Sequence, residues 1–144
     1  FRRVLFRSSG GRRFAQAIEV VREFAARDAL PDVVLLHLGT AGAYTEEQID
    51  EMMRLLADVD HVVLFTVRAP KSWEAVVNRR VENVAGDYPN LTVLDWHTIG
   101  TEHEEWFVDD RVHLNAEGQR EYAKLIDETI AGLEGPNWQR HATW

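Results

Sequence analysis

The sequence predicts an α/β protein, a three-layer α/β/α sandwich around a parallel, flavodoxin-like sheet. Almost continuous apolar runs occur at residues 32–39, 61–67 and 91–96, as strands buried on both faces require. The segments between and around these runs carry apolar residues every three or four positions, which is typical of amphipathic helices. Strands that alternate with such helices form parallel βαβ units, so this alternation predicts the α/β class.

Residues that can cap a helix precede most of the predicted helices. Thr45 begins the segment TEEQ, a capping box in which the Gln48 side chain reaches back to the Thr45 N–H. Ser72 and Asn115 are predicted to cap the third and the last helix. The first helix is predicted from the apolar face that starts at Phe14.

Composition narrows the classes of function. A chain of 144 residues with 45% hydrophobic content suits one globular domain with a core. The formal charge of −8 argues against a nucleic-acid partner, because phosphate binding needs clustered Lys and Arg. The sequence has no cysteine, which excludes disulfides, thiolate metal sites and a Cys nucleophile.

The first eight residues, FRRVLFRS, are interpreted as foreign to the protein. They can be encoded by a DNA string that resembles the end of a common short-read sequencing adapter. Residues 1–8 are therefore predicted to be an artefact, and the alternative is a natural basic strand, RRVLF. The domain is predicted to run over residues 9–133, with residues 134–144 as a C-terminal tail.

A pair of residues suited to acid–base chemistry stands just before the last helix, in DDRVHL. Asp110 precedes His113 by three positions, a spacing that lets the carboxylate hold the imidazole in one tautomer. Such a pair normally serves a nucleophile. Three segments that follow predicted strands converge on the carboxyl edge of a parallel sheet, where chemistry gathers. They are residues 38–44, 66–74 and 95–113.

These segments resemble the conserved blocks of SGNH hydrolases. LGTAG resembles the third block, GxND, in its GTNG version, and DDRVHL resembles the fifth block, DxxH. TVRAPKSWEAVVN and YPNLTVLDWH resemble the SGNH domains attached to membrane acyltransferase-3 proteins, which include peptidoglycan O-acetyltransferases. The resemblance covers residues 10 to 131.

The resemblance implies roles for individual residues. His113 would be the general base and Asp110 the residue that orients it. Gly11 would give a backbone N–H to the oxyanion hole, and Gly39 would keep the turn open for close approach of substrate. The family nucleophile is a Ser in a GDS block on the first strand. That strand is expected ahead of residue 10, so the chain is predicted to lack it and to be truncated at its N-terminus.

Ser8 and Ser9 are the alternative nucleophiles, because they follow VLF as a serine at a strand end would. Their position just before Gly11 argues against them. A second departure from the family is Ala41, which stands where the family has an Asn whose side chain donates to the oxyanion. Ala41 offers only its backbone N–H, and loss of one such donor typically costs about 10² to 10³ in turnover. Thr40 is a possible substitute donor.

Two residues of the second loop are candidates for substrate contact. Arg68 could hold a carboxylate or carbonyl of the substrate, or it could pair with Glu74 or Asp95. Trp73 could stack on a sugar ring, or it could serve packing alone. The histidines and acidic residues of the segment 97–113 match no compact ligand spacing, so neither a metal nor another cofactor is predicted.

Three classes of function follow from these observations. The first is a serine acyl-transfer domain, an O-acetyltransferase or esterase that acts on a cell-envelope glycan through an acyl donor. It would be fused to a membrane acyltransferase-3 domain at the extracytoplasmic face of a bacterial membrane. The second is a non-catalytic glycan-binding domain of the same fold, which Ala41 favours. The third is a flavodoxin-like regulatory domain, disfavoured because no Gly-rich phosphate loop follows a strand.

Overall fold

The structure is a computed structural model that describes residues 2–7 and 11–133. Two compact units are present, Phe1–Glu102 and His103–Trp144. The elements, in chain order, are β1 Arg3–Arg7, α1 Phe14–Ala26, β2 Val33–His37, α2 Glu46–Leu55, β3 His61–Phe65, α3 Glu74–Val84, β4 Leu91–Leu94, α4 Trp96–Glu102, a 3-10 turn Glu104–Trp106 and α5 Ala116–Leu133. None of the helices in the described part of the chain is long and apolar enough to cross a membrane.

The first unit is built on a parallel sheet with the strand order β1-β2-β3-β4. The apolar runs of the sequence form its middle: four successive residues of β2, Val33 to Leu36, are buried, and so are Val62 to Phe65 of β3. Successive side chains of a strand point to opposite faces of the sheet. A strand without polar residues must therefore be packed against other parts of the protein on both faces. The predicted α/β class with a parallel sheet is confirmed.

Strand β1 lies outside the predicted domain. Residues 3–7 belong to the segment that is predicted to be an artefact, yet Arg3–Arg7 pairs in parallel with β2 along its whole length, from Arg3 opposite Val33 to Arg7 opposite His37. Phe6 is buried. RVLFR has three apolar residues between two arginines, and charged residues at its ends suit an edge strand. The adapter-like origin of residues 1–8 stays a prediction.

The helices connect neighbouring strands in sequence order. Right-handed crossovers in this order place α1, α2 and α3 on one face of the sheet, and α1 contacts α2 as α2 contacts α3. The capping box of α2 is confirmed, because the Gln48 N–H donates to Thr45 Oγ1 at 3.1 Å and the Thr45 N–H donates to Gln48 Oε1 at 3.0 Å.

Two local predictions are wrong. Ser72 does not cap α3: the helix begins at Glu74 after Trp73, and no side chain caps it. Helix α4 forms where the sequence predicted a loop. Asp95 supports its start, since Asp95 Oδ1 accepts from the Thr98 N–H at 3.2 Å and Oδ2 accepts from the Thr98 hydroxyl at 2.7 Å.

The second unit begins with the 3-10 turn and ends with α5. Asn115 caps α5 as predicted, since its Oδ1 accepts from the Gly118 N–H at 2.9 Å, and its Nδ2 donates to the Glu105 carbonyl at 2.7 Å. Gly118 is buried, and a Cβ there would overlap the carbonyl oxygen of Trp106 and the side chain of Leu114. The turn and the helix therefore pack closely at this glycine. The predicted tail, residues 134–144, lies outside the described residues.

Candidate active site

The turn after β2 depends on the glycine that the sequence singled out. Gly39 is buried and has a φ of 115°, a conformation that residues with a Cβ rarely adopt. A Cβ at this position would overlap the Val67 side chain and lie 3.2 Å from Cε1 of Tyr44. Gly39 thus lets the backbone of this turn lie directly against the neighbouring loop.

The start of α3 joins the loops that follow β2, β3 and β4. The Trp73 indole N–H donates to the Gly39 carbonyl at 2.8 Å. The next residue, Glu74, accepts from the Ala69 N–H at 2.6 Å with Oε2, and its Oε1 lies 3.0 Å from Nε2 of His97. The three loops that sequence reasoning placed at one edge of the sheet are therefore bonded to one another through two adjacent side chains.

Helix α3 also satisfies backbone groups of the same loops. Asn78 Oδ1 accepts from the Val67 N–H at 2.6 Å, and Asn78 Nδ2 donates to the Val67 carbonyl at 2.8 Å. Arg80 donates to the Tyr44 carbonyl at 2.7 Å. A buried backbone group without a partner is costly, so these side chains hold both loops in one arrangement.

The proposed oxyanion donors stand in this part of the molecule. Thr40 and Ala41 are half-buried, and their backbone N–H groups donate to no other residue in the described ranges. Gly11 is exposed with a φ of 78°. A Cβ at Gly42 would lie 3.6 Å from Nε of Arg13, so the segment after Gly11 contacts the turn that carries Ala41.

Arg68 and Trp73, the two candidates for substrate contact, lie in or next to the loop that follows β3. Arg68 is buried, with 9% of its surface exposed. Trp73 is half-buried, and its polar edge already bonds Gly39, which favours packing as at least one of its roles. Contact of either residue with substrate stays a prediction.

The acid–base pair lies in the second unit. Asp110 Oδ2 and His113 Nδ1 are 2.5 Å apart, a hydrogen bond shorter than the roughly 2.7–2.9 Å usual between an N–H donor and a carboxylate. The same carboxylate accepts from two backbone N–H groups, those of Val112 and His113, both at 2.9 Å. His113 keeps 78% of its side chain exposed. An ionised Asp110 assigns the proton to Nδ1, which leaves the Nε2 lone pair to act as a base.

The loop that carries this pair is closed by its own backbone. Phe107 and Leu114 form an antiparallel bridge, and the Val108 N–H donates to the His113 carbonyl at 2.9 Å. Arg111 takes a φ of 61°, which turns the chain between Asp110 and His113. Asp and a following turn commonly form this Asx arrangement, so the DxxH spacing itself produces the contact.

The electrostatics of the pair favour its ionised form. The hydrogen bonds from the His113 ring, the His113 N–H and the Val112 N–H together lower the pKa of Asp110 to about 2. Hydrogen bonds to a carboxylate favour its charged state, so Asp110 is an anion throughout the physiological range. A fixed anion beside Nδ1 stabilises the imidazolium that forms when Nε2 takes a proton.

Sequence reasoning missed the contacts of Glu74 with His97 and Ala69. No spacing rule links these residues, which come from different loops, although their common position after strands is a weak signal. A further network there joins Thr66 to Asp95 at 3.0 Å and to the His97 N–H at 2.9 Å, both through the Thr66 hydroxyl. The alternative nucleophiles Ser8 and Ser9 lie outside the described residues.

No protein-family model matches this sequence. Peptidoglycan O-acetyltransferase OatA of Listeria monocytogenes is 30% identical over 120 residues, which are 83% of this chain and 19% of the relative. The Bacillus subtilis protein YrhL, named as a candidate peptidoglycan O-acetyltransferase, is 33% identical over 120 residues, again 83% of this chain and 19% of the relative. The chain therefore spans about a fifth of the length of these relatives.

A solved structure has the same fold. The C-terminal catalytic domain of Streptococcus pneumoniae peptidoglycan O-acetyltransferase A, determined with a methylsulfonyl adduct, superposes with a TM-score of 0.74 at 21% identity over 86% of this chain and 77% of that domain. The resemblance predicted from the sequence blocks is confirmed. Over the stretch that it matches, this chain is similar in sequence to peptidoglycan O-acetyltransferases, and it has the fold of a peptidoglycan O-acetyltransferase catalytic domain.

Proposed function

We propose that this chain carries the general base and the oxyanion donors of a serine acyl-transfer site that moves O-acetyl groups on a cell-envelope glycan. The bonded pair of Asp110 and His113 is the observation that supports this proposal most directly, because its geometry leaves Nε2 as an exposed base. The names of the relatives supply the substrate class. The roles of the other residues follow from the resemblance to the family blocks.

The chemistry assigned to the pair runs through two balanced steps. His113 Nε2 takes the proton of the nucleophile's hydroxyl while its oxygen attacks the acyl carbonyl. The resulting oxyanion accepts from the N–H groups of Gly11 and Ala41, and its collapse breaks the bond to the leaving group, which takes the proton from His113. An acceptor hydroxyl or water then repeats the sequence on the acyl-enzyme, which gives a transferred acetyl group or free acetate.

The serine that this chemistry needs is predicted to belong to a GDS block ahead of residue 9. Ser72 is the only serine in residues 11–133. The test therefore compares two proteins. One is the chain itself. The other is a GDS-bearing fusion, in which residues 1–9 are replaced by a strand that ends in the family's GDS block.

The fusion is expected to hydrolyse 4-nitrophenyl acetate and to react with a sulfonyl fluoride, whereas the chain itself is expected to do neither. His113→Ala in the fusion should lower turnover by about 10³-fold or more, because the nucleophile loses its base. Mass spectrometry with a soluble glycan oligomer then separates transfer from hydrolysis. A folded fusion whose turnover equals that of its His113→Ala variant would refute the proposal.

Activity of the unaltered chain would instead test the source of the nucleophile. If that activity is lost in His113→Ala and in Ser9→Ala, the acyl-transfer site stands and Ser9 is the nucleophile. If it is lost in His113→Ala alone, the serine lies elsewhere in the chain, and Ser8 and Ser72 are the next substitutions. Either result would refute the prediction of an upstream GDS block.

Ala41 is the specific observation that favours a second function, glycan binding without catalysis. The family's side-chain donor is absent at this position, and Ala41→Asn should restore it. In the fusion this substitution should raise the rate of acylation about 10-fold to 10³-fold. A fusion that binds glycan equally well with or without His113, and gains no turnover from Ala41→Asn, would support the binding function.

The setting of the domain is also part of the proposal. The resemblance to SGNH domains attached to membrane acyltransferase-3 proteins supports a domain that is fused to such a membrane domain, acts at the extracytoplasmic face of a bacterial membrane and receives an acyl donor there. The formal charge of −8 agrees with a glycan rather than a nucleic acid as partner. Labelling of the full-length protein in whole cells with a membrane-impermeant reagent tests this location.

A further inference from the structure

The indole of Trp73 bonds a backbone group that belongs to another loop. Its N–H donates to the Gly39 carbonyl at 2.8 Å across 34 positions of sequence. Trp73 directly precedes α3, and the adjacent Glu74 is itself held by the Ala69 N–H and by His97. The donor is therefore part of a fixed helix start, whereas the acceptor belongs to a turn.

The geometry of the peptide bond extends the effect of this contact by one residue. The Gly39 carbonyl and the Thr40 N–H belong to one planar peptide unit, and the described chain contains no cis peptide. In a trans peptide the two groups point in opposite directions. A hydrogen bond that fixes the Gly39 carbonyl thus fixes the direction of the Thr40 N–H, the amide that precedes that of Ala41.

The backbone at Gly39 is freer to rotate than that of other residues. With a φ of 115°, Gly39 has no Cβ to restrict rotation of the peptide units on either side. The side chains of Val67 and Tyr44 occupy the space where a Cβ would lie. The indole N–H of Trp73 is a directional donor and contributes to fixing the direction of the Gly39 carbonyl.

We propose that Trp73 is a positioning residue, whose N–H holds the Gly39–Thr40 peptide so that the amide donors of the turn point at the oxyanion. This inference rests on the proposed acyl-transfer function and differs from the direct contact with sugar that the sequence suggested for Trp73. A positioning role acts on the rate of the chemical step. A sugar contact acts on the binding of the glycan.

The perturbation is Trp73→benzothienylalanine, which keeps the bicyclic ring and replaces the N–H by sulfur. Its first readout is independent of activity. Labelling glycine with ¹³C at the carbonyl and threonine with ¹⁵N marks only the two Gly-Thr peptides of the chain, Gly39–Thr40 and Gly100–Thr101. The first should shift in the variant, and the second, in α4, is an internal control that should stay in place.

The second readout is the steady-state kinetics of the GDS-bearing fusion with a soluble acetylated glycan. We expect kcat to fall about 10-fold to 100-fold while KM changes less than about threefold, because a misdirected donor weakens only the transition state. Lys71→Ala is the matched control. Its ammonium lies 6.0 Å from the Trp73 ring, so this variant alters the ring's surroundings without removing the indole N–H. It should leave kcat unchanged.

Each outcome decides the proposal. An unshifted Gly39–Thr40 signal overturns it whatever the kinetics show, and a shifted signal with normal kcat overturns it while the acyl-transfer function stands. A rise in KM with normal kcat assigns Trp73 to glycan contact instead. A fusion without turnover before any change at Trp73 refutes the proposed function, and with it this inference.

Discussion

Gly39→Ala tests whether the turn after β2 is specified by its glycine. The substitution places a methyl group on a residue with a φ of 115°, against the side chain of Val67, which is fully buried. The new Cβ would also lie 3.2 Å from Cε1 of the buried Tyr44. Both neighbours are buried, so neither can move into solvent.

Two costs contribute to the expected loss of stability. A non-glycine residue held in a sparsely populated backbone conformation costs about 1–3 kcal/mol. An extra carbon forced into a packed interior costs about 1–3 kcal/mol more. The sum, about 2–6 kcal/mol, is a large part of the roughly 5–15 kcal/mol by which domains are stable.

The assay is urea unfolding followed by circular dichroism, with the free energy of unfolding compared between variants. Two alanine substitutions are controls. Gly11→Ala introduces strain alone, since Gly11 has a φ of 78° and nothing within 4 Å of its Cβ position, so we expect a loss of about 1–2 kcal/mol. Gly132→Ala, in α5 and without close neighbours, should raise stability by about 0.5–1 kcal/mol.

A double-mutant cycle separates overlap from strain. In a Val67→Ala background the overlap is relieved, so Gly39→Ala should cost only the strain of about 1–3 kcal/mol. If Gly39→Ala costs less than about 1 kcal/mol in the unaltered chain, or costs the same in both backgrounds, the close packing of this turn is not what requires glycine.

Three further substitutions probe single contacts. Tyr44→Phe removes a buried hydroxyl that has no partner in the described part of the chain, so the free energy of unfolding should stay equal or rise by about 1 kcal/mol; a clear loss would show that the hydroxyl is satisfied. Gly118→Ala should destabilise the chain towards urea by about 1–3 kcal/mol through overlap with Trp106, despite alanine's better helix propensity. Hydrogen bonds lower the pKa of Asp110 to about 2. The ionised Asp110 should therefore stabilise the folded chain at every pH above the ordinary pKa of an aspartate, and this stabilisation should be lost as the pH falls from about 4 to about 2. Carboxyl ¹³C shifts should titrate near pH 2, and His113→Ala should move that midpoint upward; a midpoint near 3.8 in the unaltered chain would contradict the pairing.

Features that depend on neighbours in sequence could be predicted from the sequence alone. Asp110 and His113 meet because the short turn between them brings the Asp110 carboxylate next to both the ring and the backbone N–H of His113. The Thr45 and Asn115 caps follow from the same local rule. The apolar runs predicted the parallel sheet, since continuous burial leaves few alternatives. Local prediction failed at Ser72, because α3 begins only at Glu74, and at α4, whose His97 N–H bonds the distant Thr66 hydroxyl.

The tertiary structure alone decided what holds the turn of Gly39. The sequence indicated that glycine was needed there, but the partner of its carbonyl stands 34 residues away in Trp73, and the partners of Glu74 come from two loops. The sequence offered RRVLF as an alternative strand, and the tertiary structure alone decided that residues 3–7 pair with β2. Hydrogen bonds between distant segments depend on how the whole sheet brings its loops together, and no short spacing in the chain encodes that geometry.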